Sequence, residues 1–407
     1  MRFAPSESHR DLARLTRQIL TDQVTTDRLR DLEAKDICLD RPLWRELATA
    51  GVLAAALPHR AGGDGLGLME QCGVLVEVGR SVAPVPYLSS IVTAAAGLAA
   101  FGDDQQVTRW VAPALDGTIV LTAALAEGEV GAERVAGHWV LTGTKTTVPA
   151  APEADLVLVP AKFGRRTAVF LVCPDDPGVK VEPQQVAGGE GAGWLDLARV
   201  TLPDDRLLGT VADGDAIAAW LTTRATIGSC AVQLGVTERA LELTAEYVRN
   251  RIQFGRPLGT FQAVAQRLAD TYIDVEAIRL TLWQAAWRLA EGLPCPTEVA
   301  TAKFWAADAG HRVAHTAVHL HGGVGIDLDH QLHRYFLAAK HHEFRLGGAT
   351  TQLRAIGAAL TSTELADQNG STGETLSRRL SPAGAAAAPT NRRTGLNRGV
   401  DGAESTP

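Results

Sequence analysis

The stretch that decides the fold is Tyr247-Val-Arg-Asn-Arg-Ile-Gln-Phe-Gly-Arg-Pro-Leu-Gly-Thr-Phe-Gln262. Apolar residues at helical spacing run into it from Thr222 and out of it from Val264, so it joins two long helices. Phe254 and Gly255 end the first helix, and Pro257 with Gly259 enforces a turn before the second. Arg251, an aromatic and Gln262 are thereby gathered at one corner, where a guanidinium suits a pyrophosphate and a side-chain amide suits a ring edge. A second corner follows one long helix later, at His319-Leu-His-Gly-Gly-Val-Gly325. Adjacent glycines at a helix C-terminus let a ligand approach bare backbone. On physics alone, a helix hairpin with solvated arginines and a plain C-cap are the simpler readings of the two corners.

Working outward, Thr222–Arg251, Val264–Glu291, Thr297–His321 and Leu332 to about Leu360 are expected as long helices of an antiparallel bundle. Between Thr118 and about Ala212 the period changes to short β-type runs, including Ile119-Val-Leu-Thr-Ala-Ala, Trp139-Val-Leu-Thr and Thr167-Ala-Val-Phe-Leu-Val, separated by Gly and Pro clusters. Strands so close together imply an antiparallel barrel or sandwich. Residues before 115 are helical, with His9–Thr25, Asp40–Gly51 and Leu68–Gly79 at helix spacing. The fold class is therefore α+β: an N-terminal helical domain over 1–115, a middle β domain over 116–210 and a helical bundle over 211–360. The segment 361–407 is dominated by Ser, Thr, Gly, Asn, Arg and Ala, and is expected to be a disordered tail.

The chain has 407 residues, 46% apolar and 21% charged, with a formal net charge of −7. That acidity excludes the basic surface a nucleic-acid binder needs. Five scattered cysteines with no CxxC pair read as thiols in a reducing compartment, and no apolar leader opens the chain, so a cytoplasmic protein is expected. Val82–Gly102 is uncharged and long enough to span a bilayer, but Pro84, Pro86 and its alanine content make it a loop entering a buried helix. Gly62-Gly-Asp-Gly-Leu-Gly has no preceding strand and reads as an inter-helix loop. His311, His315 and His319 share one helical face, yet without HExxH or a nearby Cys they read as core or interface residues and no metal is expected.

Taken together, RxxFGxPxxxFQ, a HGGxG corner one helix later and helix–β–helix organisation resemble the flavin-dependent acyl-CoA dehydrogenase family. The resemblance covers about residues 5–360 and includes Trp139-Val-Leu-Thr-Gly-Thr-Lys, Gln262-Ala-Val-Ala-Gln-Arg-Leu-Ala-Asp and Gly347-Gly-Ala-Thr-Thr-Gln-Leu-Arg. Asp274-Val-Glu-Ala-Ile-Arg-Leu-Thr-Leu-Trp-Gln-Ala-Ala-Trp is similar to actinobacterial subunits acting on steroid side-chain or other bulky CoA thioesters. The resemblance implies a dimer or α2β2 oligomer with FAD bridging subunits, an acyl-CoA substrate and an electron-transfer flavoprotein as acceptor. It implies that Arg251, Ile252, Gln253, Phe254, Phe261 and Gln262 hold the diphosphate and adenosine of a neighbour's FAD. His319, Leu320, His321, Gly322 and Gly323 would line the same side, and Gly348 and Thr350 the ADP portion of the other FAD. The implied chemistry is α-proton removal by a carboxylate with β-hydride transfer to flavin N5.

The departures from the family pattern fall on the chemistry. The usual base position is Gly347, whose backbone N–H is left as a donor to the thioester, and the alternative base position is Ala225. Glu343, one turn before Gly347, is a weak candidate for a displaced base. Leu125-Ala-Glu-Gly and Thr147-Val-Pro149 replace the usual flavin-contacting triplets. The favoured expectation is a dehydrogenase subunit that completes the FAD site of a catalytic partner. The alternatives are a self-sufficient dehydrogenase using Glu343, or a flavin oxidase or oxygenase on the same fold.

Overall fold

The computed structural model describes residues 6–188 and 191–361. The expected tail lies, from 362 onward, outside the described residues. Three early helices begin where the sequence supplies a capping oxygen. Ser6, Thr25 and Asp40 each accept a hydrogen bond from the backbone N–H three residues on, opening α1 (Glu7–Gln23), α2 (Thr26–Ala34) and α3 (Arg41–Thr49). Helix α2 was not expected, because it carries no fully buried residue and hence no apolar stripe to read. Helix α4 (Leu68–Ser81) is buried along most of its length. The backbone over Tyr87–Ala95 is π-helical and runs into α5 (Ala96–Phe101). This uncharged stretch is buried core, and among the described residues no helix is long and apolar enough to cross a membrane.

Eight strands form one sheet: β1 (Leu121–Ala123), β2 (Val130–Val135), β3 (His138–Pro149), β4 (Leu156–Phe163), β5 (Arg166–Val172), β6 (Val179–Gln184), β7 (Ala192–Leu202) and β8 (Leu207–Leu208). The order is β6-β7-β3-β2-β4-β5-β8, with β1 on β4. Two expectations need correcting. The sheet does not close into a barrel, and it is mixed, since β1 and β2 each pair with β4 in parallel. Its ends explain the first point: β8 is two residues long and β6 has no buried residue and alternates Lys180 and Glu182 with its valines, so neither offers a strand for closure. Both faces are nonetheless buried. Along β5, Val169 and Leu171 join the core shared with the helices, while Ala168, Phe170 and Val172 join a second core built on Trp139.

The C-terminal helices are α6 (Gly214–Asn250), α7 (Gln262–Ala290), α8 (Pro296–His321) and α9 (Leu332–Phe344). Helix α4 crosses α6 through glycines: a Cβ on Gly235 would lie 1.9 Å from the carbonyl oxygen of Val76, and one on Gly79 2.1 Å from that of Val232. The single helix expected from Leu332 to about Leu360 is broken after Phe344, and helical backbone resumes only at 349. Leu346 and Gly347 have φ of 59° and 94°, outside the helical region. The fully buried Lys303 of α8 donates to the carbonyls of His342 and Glu343 at 2.9 and 3.1 Å, and so caps α9 at the break.

Candidate functional site

The turn after α6 folds as a two-residue hairpin, β9 (Ile252–Gln253) against β10 (Arg256–Pro257), with Phe254 and Gly255 at its tip in left-handed conformations. Phe254 is 92% exposed and Ile252 61%, an unusual display for large apolar side chains. The Arg256 guanidinium stands 4.0 Å from the centre of the half-buried Phe261 ring. Arg251, Gln253 and Gln262 are exposed, and Arg251 makes no ion pair among the described residues. The second corner meets the first through Tyr247, whose ring stacks on His321 at 4.3 Å between centres. His321 is therefore corrected: its side chain is buried and donates from Nδ1 to Ala317 O at 2.8 Å, holding the corner from inside. His319, Gly322 and Gly323 lie on the exposed side, and Leu320 is half-buried. Gly348 and Thr350 sit on the separate segment after α9, half-buried and exposed respectively.

A cavity of about 480 Å³ opens between α2, α4, α6 and α9. Its walls are mostly apolar, with Leu29, Leu75, Val232, Val236 and Leu337 among them, and its polar groups are concentrated on α9. The cavity-facing stripe of that helix is Leu337, Ala338, His341 and His342, continued by Arg345. The His342 ring is held by Ser229, Oγ to Nδ1 at 3.0 Å. Burial pushes His342 far below the ordinary histidine range and His341 down to about 4, so both stand neutral at physiological pH. Arg334, also on the wall, is clamped bidentately by Glu33 at 2.6 Å for each contact. None of these wall residues was singled out from sequence. The one local signal is the adjacency of His341 and His342, and only the helix's packing tells which way it faces.

The three positions considered for a base are resolved geometrically. Ala225 is buried within α6. Gly347 does not present a free N–H, contrary to expectation: the group donates to Phe344 O at 3.1 Å, because the left-handed turn folds it back on α9. Its carbonyl accepts from Gln352 Nε2 at 3.1 Å. Glu343 is ion-paired with Lys340 and lies 3.1 Å from His311 Nδ1, on the side of α9 that meets α8. It does not line the cavity. The cavity's own carboxylates are Glu33, occupied by Arg334, and the exposed Asp36. His311 stacks on His315 at 4.2 Å, and among the described residues no group of side chains is arranged to hold a metal.

Two halves of an FAD site can be tested against these residues. The outer corner fits: it offers an exposed guanidinium without a counter-ion beside exposed aromatic and amide groups. The segments to which the resemblance assigns the flavin contacts are tied to internal partners instead. Lys145 Nζ donates to Gly128 O at 2.8 Å and to Ala126 O at 3.4 Å, pinning the Leu125–Gly128 loop, and Thr147 N–H donates to Gln184 at 2.7 Å.

The helical segments that build this arrangement match two family models. The acyl-CoA dehydrogenase N-terminal domain matches residues 6–118, and the acyl-CoA dehydrogenase C-terminal domain matches residues 213–361. The chain belongs to the acyl-CoA dehydrogenase family of FAD-dependent oxidoreductases. It is 49% identical over 376 residues to the acyl-CoA dehydrogenase FadE27 of Mycobacterium tuberculosis, covering 89% of this chain and 100% of that one. It is similar to a chain in the crystal structure of the ChsE4-ChsE5 complex from Mycobacterium tuberculosis, with TM-score 0.86 and 50% identity over 89% of this chain and 99% of that one. A variant of the Tcur3481-Tcur3483 steroid ACAD gives TM-score 0.83 and 41% identity over 88% of this chain and 99% of the other.

Proposed function

We propose that this chain is the subunit of a heteromeric acyl-CoA dehydrogenase that completes a catalytic partner's FAD site without carrying the base itself. One observation carries the reading. The corner at Arg251 and Gln262 is assembled and exposed, while the base positions hold Gly347 and Ala225 and the displaced candidate Glu343 is held by Lys340 and His311 away from the cavity. In this reading Arg251 binds the diphosphate, Gln262 and His319 orient the adenosine, and Gly322, Gly323, Gly348 and Thr350 offer close backbone approach. FAD, when bound, supplies the hydride acceptor, and the partner supplies the carboxylate that takes the α-proton of the acyl-CoA.

Three further features support this picture. Apolar side chains remain exposed on the C-terminal helices, Tyr272, Ile273 and Leu280 on α7 and Phe344 on α9 among them, as an oligomer interface requires. The relatives that resemble this chain include a two-component complex and a steroid ACAD, which favours a bulky, steroid-type acyl group. All five cysteines are free, in keeping with work in the reducing cytoplasm, and the acceptor in this reading is an electron-transfer flavoprotein.

The test is expression of the chain alone and with candidate partner subunits. The lone chain is expected to hold little FAD and to turn over no acyl-CoA, and the co-purified heteromer to do both. Tight FAD binding with acyl-CoA turnover by the lone homomer overturns the proposal.

A further inference from the structure

A second cavity, of about 440 Å³, lies away from both FAD corners, where the loop before α4 meets α5 and the N-terminal part of α6. Its walls are largely apolar, with Leu57, Leu66, Leu68, Ala96, Ala100 and Trp220 among them. A single charged group of fixed sign lines it, Arg224. That guanidinium donates from Nε to Val92 O at 3.1 Å and from Nη2 to the Gln71 side chain, and it lies 4.7 Å from the centre of the Trp220 ring. It forms no ion pair among the described residues. The neighbouring Cys72 and Tyr87 are buried and un-ionised, so they supply no counter-charge. Glu70 does not line the cavity, and its carboxylate is occupied by the Gly67 N–H and the Ser6 hydroxyl.

Arg224 is half-buried, and the loss of hydration with no anion beside it pulls the guanidinium pKa down to about 10. Gly67 and Leu68, at the start of α4, also line the cavity. A largely apolar cavity whose one cation has no ion-pair partner among the described residues describes a receptor for one negative charge on a short hydrocarbon body.

We propose that this cavity binds a small unesterified carboxylate, with its carboxylate on Arg224 and its apolar body against Leu57, Leu66, Ala96 and Ala100. The site is independent of the FAD-completing role, and no step of that role depends on it.

The experiment uses the full-length protein, co-purified with its partner where one is found, and hexanoate as the probe. Hexanol and inorganic phosphate are the controls, read by calorimetry and by the thermal midpoint. Hexanoate is expected to bind at one site per chain and raise the midpoint, with both controls at least about tenfold weaker. Trp220 emission should change with it, a change absent in Trp220→Phe. Arg224→Met is expected to weaken hexanoate at least about tenfold. Ala100→Phe, at an exposed position on the rim, should block the chamber without disturbing the core, and keeps the test decisive if Arg224→Met folds poorly. Unchanged hexanoate binding in Ala100→Phe or in folded Arg224→Met, equal binding of hexanol, phosphate binding in its place, or no hexanoate binding at all overturns the proposal.

Discussion

Replacing Arg251 with Met separates cofactor binding from folding more cleanly than any other change in the chain. The guanidinium is exposed and makes no ion pair within the described residues, so its removal leaves no buried partner stranded. Surface changes of that kind alter stability by no more than about 0.5 kcal/mol. A guanidinium–phosphate contact, by contrast, contributes about 1.5–3 kcal/mol. At about 1.4 kcal/mol per factor of ten, the heteromer's dissociation constant for FAD should rise roughly 10- to 150-fold. Arg251→Lys should recover part of the loss, because an ammonium keeps the charge but not the two-pronged geometry. The assay is a titration of flavin-stripped heteromer with FAD, followed by flavin fluorescence, beside thermal melts of the lone chain. An FAD affinity unchanged within about twofold in an intact heteromer refutes the role of Arg251. So does a loss of several degrees in the lone chain's midpoint, which would make the residue structural.

Other outcomes follow from the geometry. Glu343→Gln should leave the heteromer's acyl-CoA turnover unchanged within about twofold, and a loss of a hundredfold or more would restore Glu343 as a base. His341 and His342 give a pH signature: both are held below the unfolded value of 6.5, so below that pH the unfolded chain binds more protons and stability falls as acid is added. For His342 the slope grows from about 0.7 kcal/mol per pH unit at pH 6.5 to about 1.4 near pH 5, and His342→Leu should remove that contribution from the urea-unfolding free energy measured over this range. Identical slopes would show that the ring is not kept neutral. Gly235→Ala should destabilise by about 1–3 kcal/mol or more, since its Cβ would sit 1.9 Å from backbone rather than from a yielding side chain. A wild-type melting midpoint would mean that α4 and α6 are not in such close contact.

Periodicity located the long helices because their apolar stripes face one core, and a 3.6-residue repeat survives in the sequence whatever the partners are, although α6 begins at Gly214, eight residues before the expected Thr222. It failed at α2, where capping by Thr25 stands in for an apolar face. It failed again at the end of α9, where a lysine from another helix caps the break. The same division runs through the site. The turn at the Arg251 corner was legible because Phe254, Gly255, Pro257 and Gly259 impose it locally. The cavity was not, because Leu29, Leu75, Val236 and His342 come from four helices that only packing brings together.

The sequence by itself determined the family, since the resemblance rests on residue identities over short spans. Tertiary structure alone decided that Glu343 is held by Lys340 and His311, that Gly347 spends its N–H on Phe344, that His321 faces inward, and that Arg224 is left without a counter-ion. Those facts depend on which groups meet across the core, and burial and charge pairing are properties of the assembled neighbourhood, not of any one stretch of chain.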